Sequence, residues 1–324
     1  MALLTISGSP HVHSNQSTQK IMWGVVIAML PALLVGIYYF GIQSLAVTLV
    51  SVASCLVFEW LIGRYILKTE NTTYDGSAVV TGMLLAFNLP SNIPLWMVIL
   101  GSLVAIGIGK MTFGGLGKNP FNPALVGRVF LFLSFPTAMA MSEWPLPHPM
   151  FGSTLTDAIT GPTTLSIMKH GGDNLPGLWD MFIGAEGGSF GEVSALAIII
   201  GGIFMLCRKI ISWHTPVAFL GSAFIFAGIL NLIDPATYFN PFYHLFAGGM
   251  MLGAVFMATD MVTSPVTHKG QLIFGCGCGI LTIIFRSFGP MPEGVSFAVL
   301  IMNGFTPLIN KFIKTDKFGY KKIK

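Results

Sequence analysis

Apolar residues fall along this chain in long blocks, not in the alternation of a half-buried strand or the one-sided spacing of a surface helix. A helix needs about 20 apolar residues to cross the hydrocarbon of a bilayer. Blocks near that length occur at about 21–40, 43–63, 93–111, 193–207, 213–233, 270–286 and 295–313, and shorter, glycine-interrupted blocks at about 76–90, 123–140 and 243–259. They predict an all-α integral membrane protein of about ten transmembrane helices, five on each side of a long polar stretch. The chain then divides into an N-terminal segment (1–20), a first five-helix unit (21–140), a polar loop (141–191), a second five-helix unit (192–314) and a basic tail (315–324).

The two five-helix units share punctuation. Gly82 precedes Pro94 by twelve residues and Gly253 precedes Pro265 by twelve, and Gly117-x-x-Pro120 is echoed by Gly289-x-x-Pro292. Five is an odd number, so duplicated units enter the membrane from opposite faces. This predicts two inverted repeats about an axis in the membrane plane. The blocks ending at Asn88-Leu89-Pro90 and at Asp260-Met261-Val262-Thr263-Ser264-Pro265 read as half-length or broken helices. Such breaks persist only where protein or a polar cavity satisfies the freed backbone groups.

Composition strengthens the membrane reading: 53% of residues are hydrophobic and 9% charged, where a soluble domain carries about 25% charged residues. The net charge of +4 does not point to nucleic acid, because basic residues collect at span ends and in Lys311, Lys314, Lys317, Lys321, Lys322 and Lys324. With the N-terminus in the cytoplasm, Lys20, Arg64, Lys68, Lys110, Lys118, Arg128, Arg208, Lys209 and Lys269 join these on one side, leaving Lys169 and Arg286 apart. The positive-inside rule then puts both termini in the cytoplasm and the 141–191 loop on the outer face of the cytoplasmic membrane. On that face Glu143, Asp157, Asp173, Asp180, Glu186 and Glu192 outnumber Lys169.

Other residues add less. The first nineteen carry neither a basic cluster nor a hydrophobic region, so the first span itself directs insertion. Cys55, Cys207, Cys276 and Cys278 lie in or beside apolar blocks with no CxxC pair, and are read as buried small side chains, not as metal ligands. His11 and His13 are read as part of a tail that touches a partner, in preference to a metal site. Trp144, Trp179 and Trp213 suit an interfacial belt.

The polar loop holds the candidate chemistry. Asp157-Ala158-Ile159-Thr160-Gly161-Pro162-Thr163-Thr164-Leu165 presents a hydroxyl, Thr163, after a glycine that permits close backbone approach. Alone, Thr-Gly-Pro makes an ordinary polar turn. The stretch resembles the motif Asp-x-x-Ser/Thr-Gly-Ala-Thr, on which a flavin transferase esterifies FMN to threonine, with Pro162 where that motif has Ala.

Further motifs extend the likeness: Asp75-Gly76-Ser77-Ala78 with Thr81-Gly82; Phe113-Gly114-Gly115-Leu116-Gly117 with Asn119 and Phe121-Asn122-Pro123-Ala124; and Gly191-Glu192-Val193-Ser194. Met257-Ala258-Thr259-Asp260 with Thr263-Ser264-Pro265, and Pro292-Glu293-Gly294-Val295, complete the set, with Met261 where a Pro is usual. Nearly the whole chain thereby resembles the D subunit of the Rnf ion-translocating oxidoreductases, relatives of the B subunit of the sodium-pumping quinone reductase. The resemblance implies FMN in phosphoester linkage on Thr163, with Asp157, Thr160 and Gly161 as the flavinylation motif. It implies electron relay between ferredoxin and NAD coupled to Na+ or H+ transport, and a second, non-covalent riboflavin. Implied partners are a flavin transferase, other membrane subunits, an outer-face flavoprotein, and cytoplasmic iron–sulfur and NAD-binding subunits. The chain itself has no GxGxxG fold and no iron–sulfur cysteine set.

Ionisable groups inside spans form a second informative set, since each costs about 2.5–3.5 kcal/mol at the bilayer centre on insertion scales. Asp260 and Glu293 lead, as an ion path or the edge of a second flavin pocket, or as carboxylates capping half-helices. Asp75, Glu59 and Arg128 follow, nearer the interface. The alternative of another class is a solute channel of the urea-transporter type, which uses a similar inverted five-span repeat but has no use for a flavinylation loop.

Overall fold

The computed structural model describes residues 17–68, 73–139, 144–147, 160–170, 175–235, 237–289 and 293–314. Asp157, Pro292, His11 and His13 lie outside them.

Local chemistry sets where the helices begin. Ser17 accepts a hydrogen bond from the Lys20 amide and starts α1 (Thr18–Phe40), which stops at Gly41 in a positive-φ turn. Helix α2 (Ile42–Leu61) continues into a π turn, Ile62–Leu67. Helix α3 (Ser77–Phe87) has 11 residues, about 16 Å, half the hydrocarbon thickness. Helix α4 (Leu95–Gly107) follows Pro94. Asn122 accepts from the Ala124 amide at 3.1 Å and Pro123 occupies the first position of α5 (Pro123–Ser134). Phe135-Pro136 then ends it, so the expected 123–140 block is a shorter helix plus the single turn α6 (Pro136–Met139).

The described residues of the polar stretch carry secondary structure of their own. A two-residue antiparallel pair joins β1 (Trp144–Pro145) to β2 (Thr160–Gly161), followed by α7 (Thr164–His170) and α8 (Leu178–Ile183). Helix α9 (Ala195–Cys207), capped by Ser194, has 13 residues, fewer than the full span expected at 193–207. The second half continues with α10 (His214–Ile233), the broken element α11 (Pro241–Phe246) and α12 (Met250–Leu252) with its π turn Gly253–Met257, then α13 (His268–Phe288) and α14 (Val295–Phe312). Six helical stretches are long and apolar enough to cross a membrane, while Ser77–Phe87, Pro123–Ser134 and Ala195–Cys207 are shorter apolar helices. The all-α, multi-pass expectation is borne out, with the small β pair as its one exception among the described residues.

Small residues let the helices approach closely, as membrane packing requires. A Cβ on Gly201 of α9 would stand 2.1 Å from the Ala28 carbonyl oxygen of α1, and one on Gly82 of α3 would stand 2.7 Å from Val52 Cα of α2. Ser51 donates to the Gly82 carbonyl at 2.8 Å across the same contact. Two expectations about side chains fail here. Cys207 and Cys276 are exposed on helix surfaces, while only Cys55 and Cys278 are buried. Trp144 is buried by the strand pairing, in contrast to the exposed Trp179 and Trp213.

Candidate functional site

One end of the bundle gathers basic residues. There Trp23 of α1 covers Gly76, Val266 donates to Asn310 of α14, and His214 and His268 stack with ring centroids 4.3 Å apart at the starts of α10 and α13. Lys110, just past α4, lies at this end but inside the protein: its Nζ donates to Glu59 Oε2 at 2.8 Å and to Ser77 Oγ at 2.7 Å. Glu59 is thus buried within an ion pair.

Beside that pair opens a cleft of about 740 Å3, walled in part by Thr81, Lys110, Asn119, Asn122, Phe256 and Asp260. Asp260 follows the π turn and is half-buried, accepting from the Thr263 hydroxyl at 3.0 Å. Asn122 Nδ2 reaches the Met257 carbonyl at 3.3 Å, while Asn119 Oδ1 is buried without a partner among the described residues.

Thr163 stands toward the opposite end. It is half-buried and caps α7, its hydroxyl oxygen accepting from the Ser166 amide at 3.2 Å. Thr160 is exposed in β2, and Gly161 packs on Leu146. The cleft in front of Thr163 is lined by Thr164, Glu186, Gly187, Gly188, Glu192 and Glu293, among others. Glu293 therefore belongs with Thr163 and not with Asp260; the structure parts the two leading carboxylates.

Behind that cleft lies a network that the pattern of the chain does not announce. Arg128, expected at the basic end, points into the core: Nη1 donates to Asn88 Oδ1 and Ser296 Oγ, each at 2.8 Å, and Nη2 pairs with Glu293. The reason is the early start of α5 at Pro123, which carries its sixth residue well inside the protein. Thr164 Oγ1 donates to Glu186 Oε2 at 2.8 Å, and the Ser189 amide to Glu192 Oε1 at 3.4 Å. Glu192 Oε2 has no partner among the described residues and lies so near Gly249 that a Cβ there would approach to 2.7 Å. Burial pushes the Glu186 carboxyl up to about 8, with the Thr164 hydroxyl working against it. Glu192 is raised too, first by burial and then by the Glu293 charge. Both acids are flanked by glycine or small residues, Gly184-Ala185-Glu186-Gly187 and Gly191-Glu192, the one sequence signal that they sit where backbone approaches closely.

These features define a multi-pass membrane protein in which a threonine on a polar loop faces a buried cluster of acids with Arg128 behind it. The chain belongs to the NQR2, RnfD, RnfE family, whose model matches residues 5–319. It is 45% identical over 324 residues to the D subunit of the Na+-translocating ferredoxin:NAD+ oxidoreductase complex of Acetobacterium woodii, covering 99% of this chain and 97% of that protein. It is 41% identical over 331 residues to the D subunit of the proton-translocating ferredoxin:NAD+ oxidoreductase complex of Clostridium ljungdahlii, covering 99% and 97%. With the D subunit of the ion-translocating oxidoreductase complex of Stutzerimonas stutzeri the identity is 38% over 335 residues, covering 94% and 93%.

Proposed function

We propose that this chain, the membrane-embedded D subunit of an ion-translocating ferredoxin:NAD+ oxidoreductase complex, carries FMN in phosphoester linkage on Thr163 and relays electrons coupled to Na+ or H+ transport. The observation that carries this is the position of the Thr163 hydroxyl, half-exposed on the flavinylation-like loop and facing a cleft of buried acids. The cleft suits such a group: Glu192 Oε2 is an orphaned acceptor there, and ribityl hydroxyls are donors. Gly187 and Gly188 leave one wall without side chains. Bound flavin supplies a carrier that exchanges electrons singly or in pairs. The protein's part is to hold the tether at Thr163 and to keep protons on the Glu186 and Glu192 carboxyls near neutral pH, where they serve proton exchange. Thr160 and Gly161 present the loop to a flavin transferase, with Asp157 as the recognition handle upstream.

The cleft at the basic end is our candidate seat for a non-covalent riboflavin, with Asn119 Oδ1 as its free acceptor. Asp260 at its rim and Glu293 beside Thr163 are candidates for the ion path. An inverted repeat is supported by chain direction. Ile62 of the π turn after α2 meets Gly107 at the end of α4, so these helices run parallel, as do α10 and α13, whose first residues stack. The two pairs run in opposite senses, because α2 and α4 end at the basic end where α10 and α13 begin. A cytoplasmic basic end, with both termini there, follows from the positive-inside rule. Partners are then the other Rnf subunits: membrane subunits, an outer-face flavoprotein, and cytoplasmic iron–sulfur and NAD-binding subunits. A solute channel is disfavoured because the end of α3 and the middle of α5 meet in the Asn88–Arg128–Ser296 network, not in an open passage.

The test is in-gel flavin fluorescence of the denatured chain co-expressed with its flavin transferase, wild type beside Thr163→Val, with peptide mass analysis. A fluorescent wild-type band, FMN mass on the Thr163 peptide and a dark variant are expected. A dark wild-type band overturns the redox reading.

A further inference from the structure

On the far side of α7 from the Thr163 cleft lies a cavity of opposite character, about 600 Å3, between α7, α11 and α13. Its basic side chains are Lys169, His244 and Arg286, joined by the hydroxyl-bearing Thr237, Tyr238 and Ser287, with no carboxylate among the lining residues. Leu165 lies in the wall of both spaces and separates them.

The basic groups have only carbonyl partners among the described residues. Arg286, 6% exposed, donates from Nη1 to the His244 carbonyl at 2.6 Å and from Nη2 to the Ala247 carbonyl at 2.8 Å, while its Nε has no partner. His244 is 9% exposed and its Nδ1 is likewise unpartnered. Lys169 Nζ donates to the Gly289 carbonyl. The acid on the neighbouring connection, Asp234, is engaged by the Thr237 hydroxyl at 2.6 Å. A buried cation is normally paired with an anion, and here, among the described residues, no carboxylate hydrogen-bonds Arg286, although the Glu293, Glu192 and Glu186 charges act on it from the neighbouring cleft. Around the same end, the last residues of α10 and α13 carry some of the most exposed apolar side chains: Leu232 at 83%, Ile233 at 72% and Phe288 at 62%. An anion-binding cavity bordered by open apolar surface matches one amphiphile, with a charged head and hydrocarbon tails.

We propose that this cavity binds the phosphodiester headgroup of an anionic membrane phospholipid, whose acyl chains lie along the exposed ends of α10 and α13. Basic pockets between transmembrane helices bind anionic headgroups on the cytoplasmic side of membranes, and this cavity offers the same kind of charge at the opposite end. The lipid then holds Lys169, the sixth residue of α7, as Thr163 caps its start, so it fixes the helix that positions the loop.

The experiment uses the intact complex in nanodiscs of phosphatidylcholine alone or mixed with phosphatidylglycerol, followed by detergent extraction and native mass spectrometry. Wild type retains phosphatidylglycerol in preference to phosphatidylcholine, and Lys169→Met retains it about fivefold less, the factor expected for one lysine. Lys169→Arg keeps the charge and restores retention, which separates loss of the site from loss of folding. Thr163→Val, unable to tether a flavin phosphate, still retains the lipid. The proposal is overturned by equal retention of the two lipids, by full retention in Lys169→Met, by inorganic phosphate displacing the lipid, or by lipid bound only in Thr163→Val, which would make a tethered flavin the natural occupant. In-gel flavin fluorescence of the same samples reports flavinylation separately.

Discussion

Glu186 carries the clearest consequence of a single ionisation. Its pKa is about 8 in the folded protein against about 4.3 in an unfolded chain, so the folded state holds the extra proton between those values. Stability from this group is fully present below about pH 4.3 and is lost as pH rises through about 8. Thermal unfolding of the purified complex should therefore fall toward alkaline pH. Glu186→Gln should flatten that decline and raise the midpoint above pH 8, leaving a residual slope from Glu192. An unchanged slope in the variant would show that Glu186 is ionised in the fold. Lys110→Met takes the ammonium away from the buried Glu59 carboxylate, a loss of about 3–5 kcal/mol for a broken buried pair. Adding Glu59→Gln should recover much of it, readable as a return of the unfolding midpoint.

At the scale of elements, close contacts between backbones decide assembly. Gly201→Val in α9 drives a branched side chain into the Ala28 carbonyl of α1, where even one Cβ would stand at 2.1 Å. A cost of about 1–3 kcal/mol is expected for such overpacking, and size-exclusion profiles should show loss of the monodisperse complex. Gly221, whose Cβ would meet nothing within 4 Å, should accept the Ala change with no effect and serves as the control. The long helices were legible because an apolar block of about 20 residues has few other homes. Helices α5 and α9 came out shorter than their blocks because hydrophobicity does not mark where Phe135-Pro136 or the buried turn before Ser194 breaks the helix. Thr163 was legible as a local motif. The network behind it was not, because Arg128 reaches partners 40, 165 and 168 residues away. Glu186 and Glu192 look in the sequence like ordinary surface acids, and only folding buries them.

For the whole molecule, function rests on its two ends facing different compartments. The structure separates a basic end, with Lys118, Arg208 and Lys209, from an end carrying Thr160, Thr163 and Glu186. Under the orientation we propose, the positive-inside rule puts the basic end in the cytoplasm and the threonine loop on the outer face. The orientation can be read directly with an impermeant maleimide. The exposed Cys207 and Cys276 are first changed to serine, leaving the buried Cys55 and Cys278 in place, and the background must stay unlabelled. Thr160→Cys should then label in intact cells, and Lys118→Cys only after the membrane is opened. Both positions are exposed, so a failure to label reports sidedness and not burial. The reverse result would put the loop in the cytoplasm, and electrons on the flavin we propose at Thr163 would then need no route across the membrane. Labelling of Thr160 alone in intact cells makes that crossing a requirement. The cleft bounded by Asp260 and the cleft bounded by Glu293 then stand at its two ends, with the Arg128 network on the path between them.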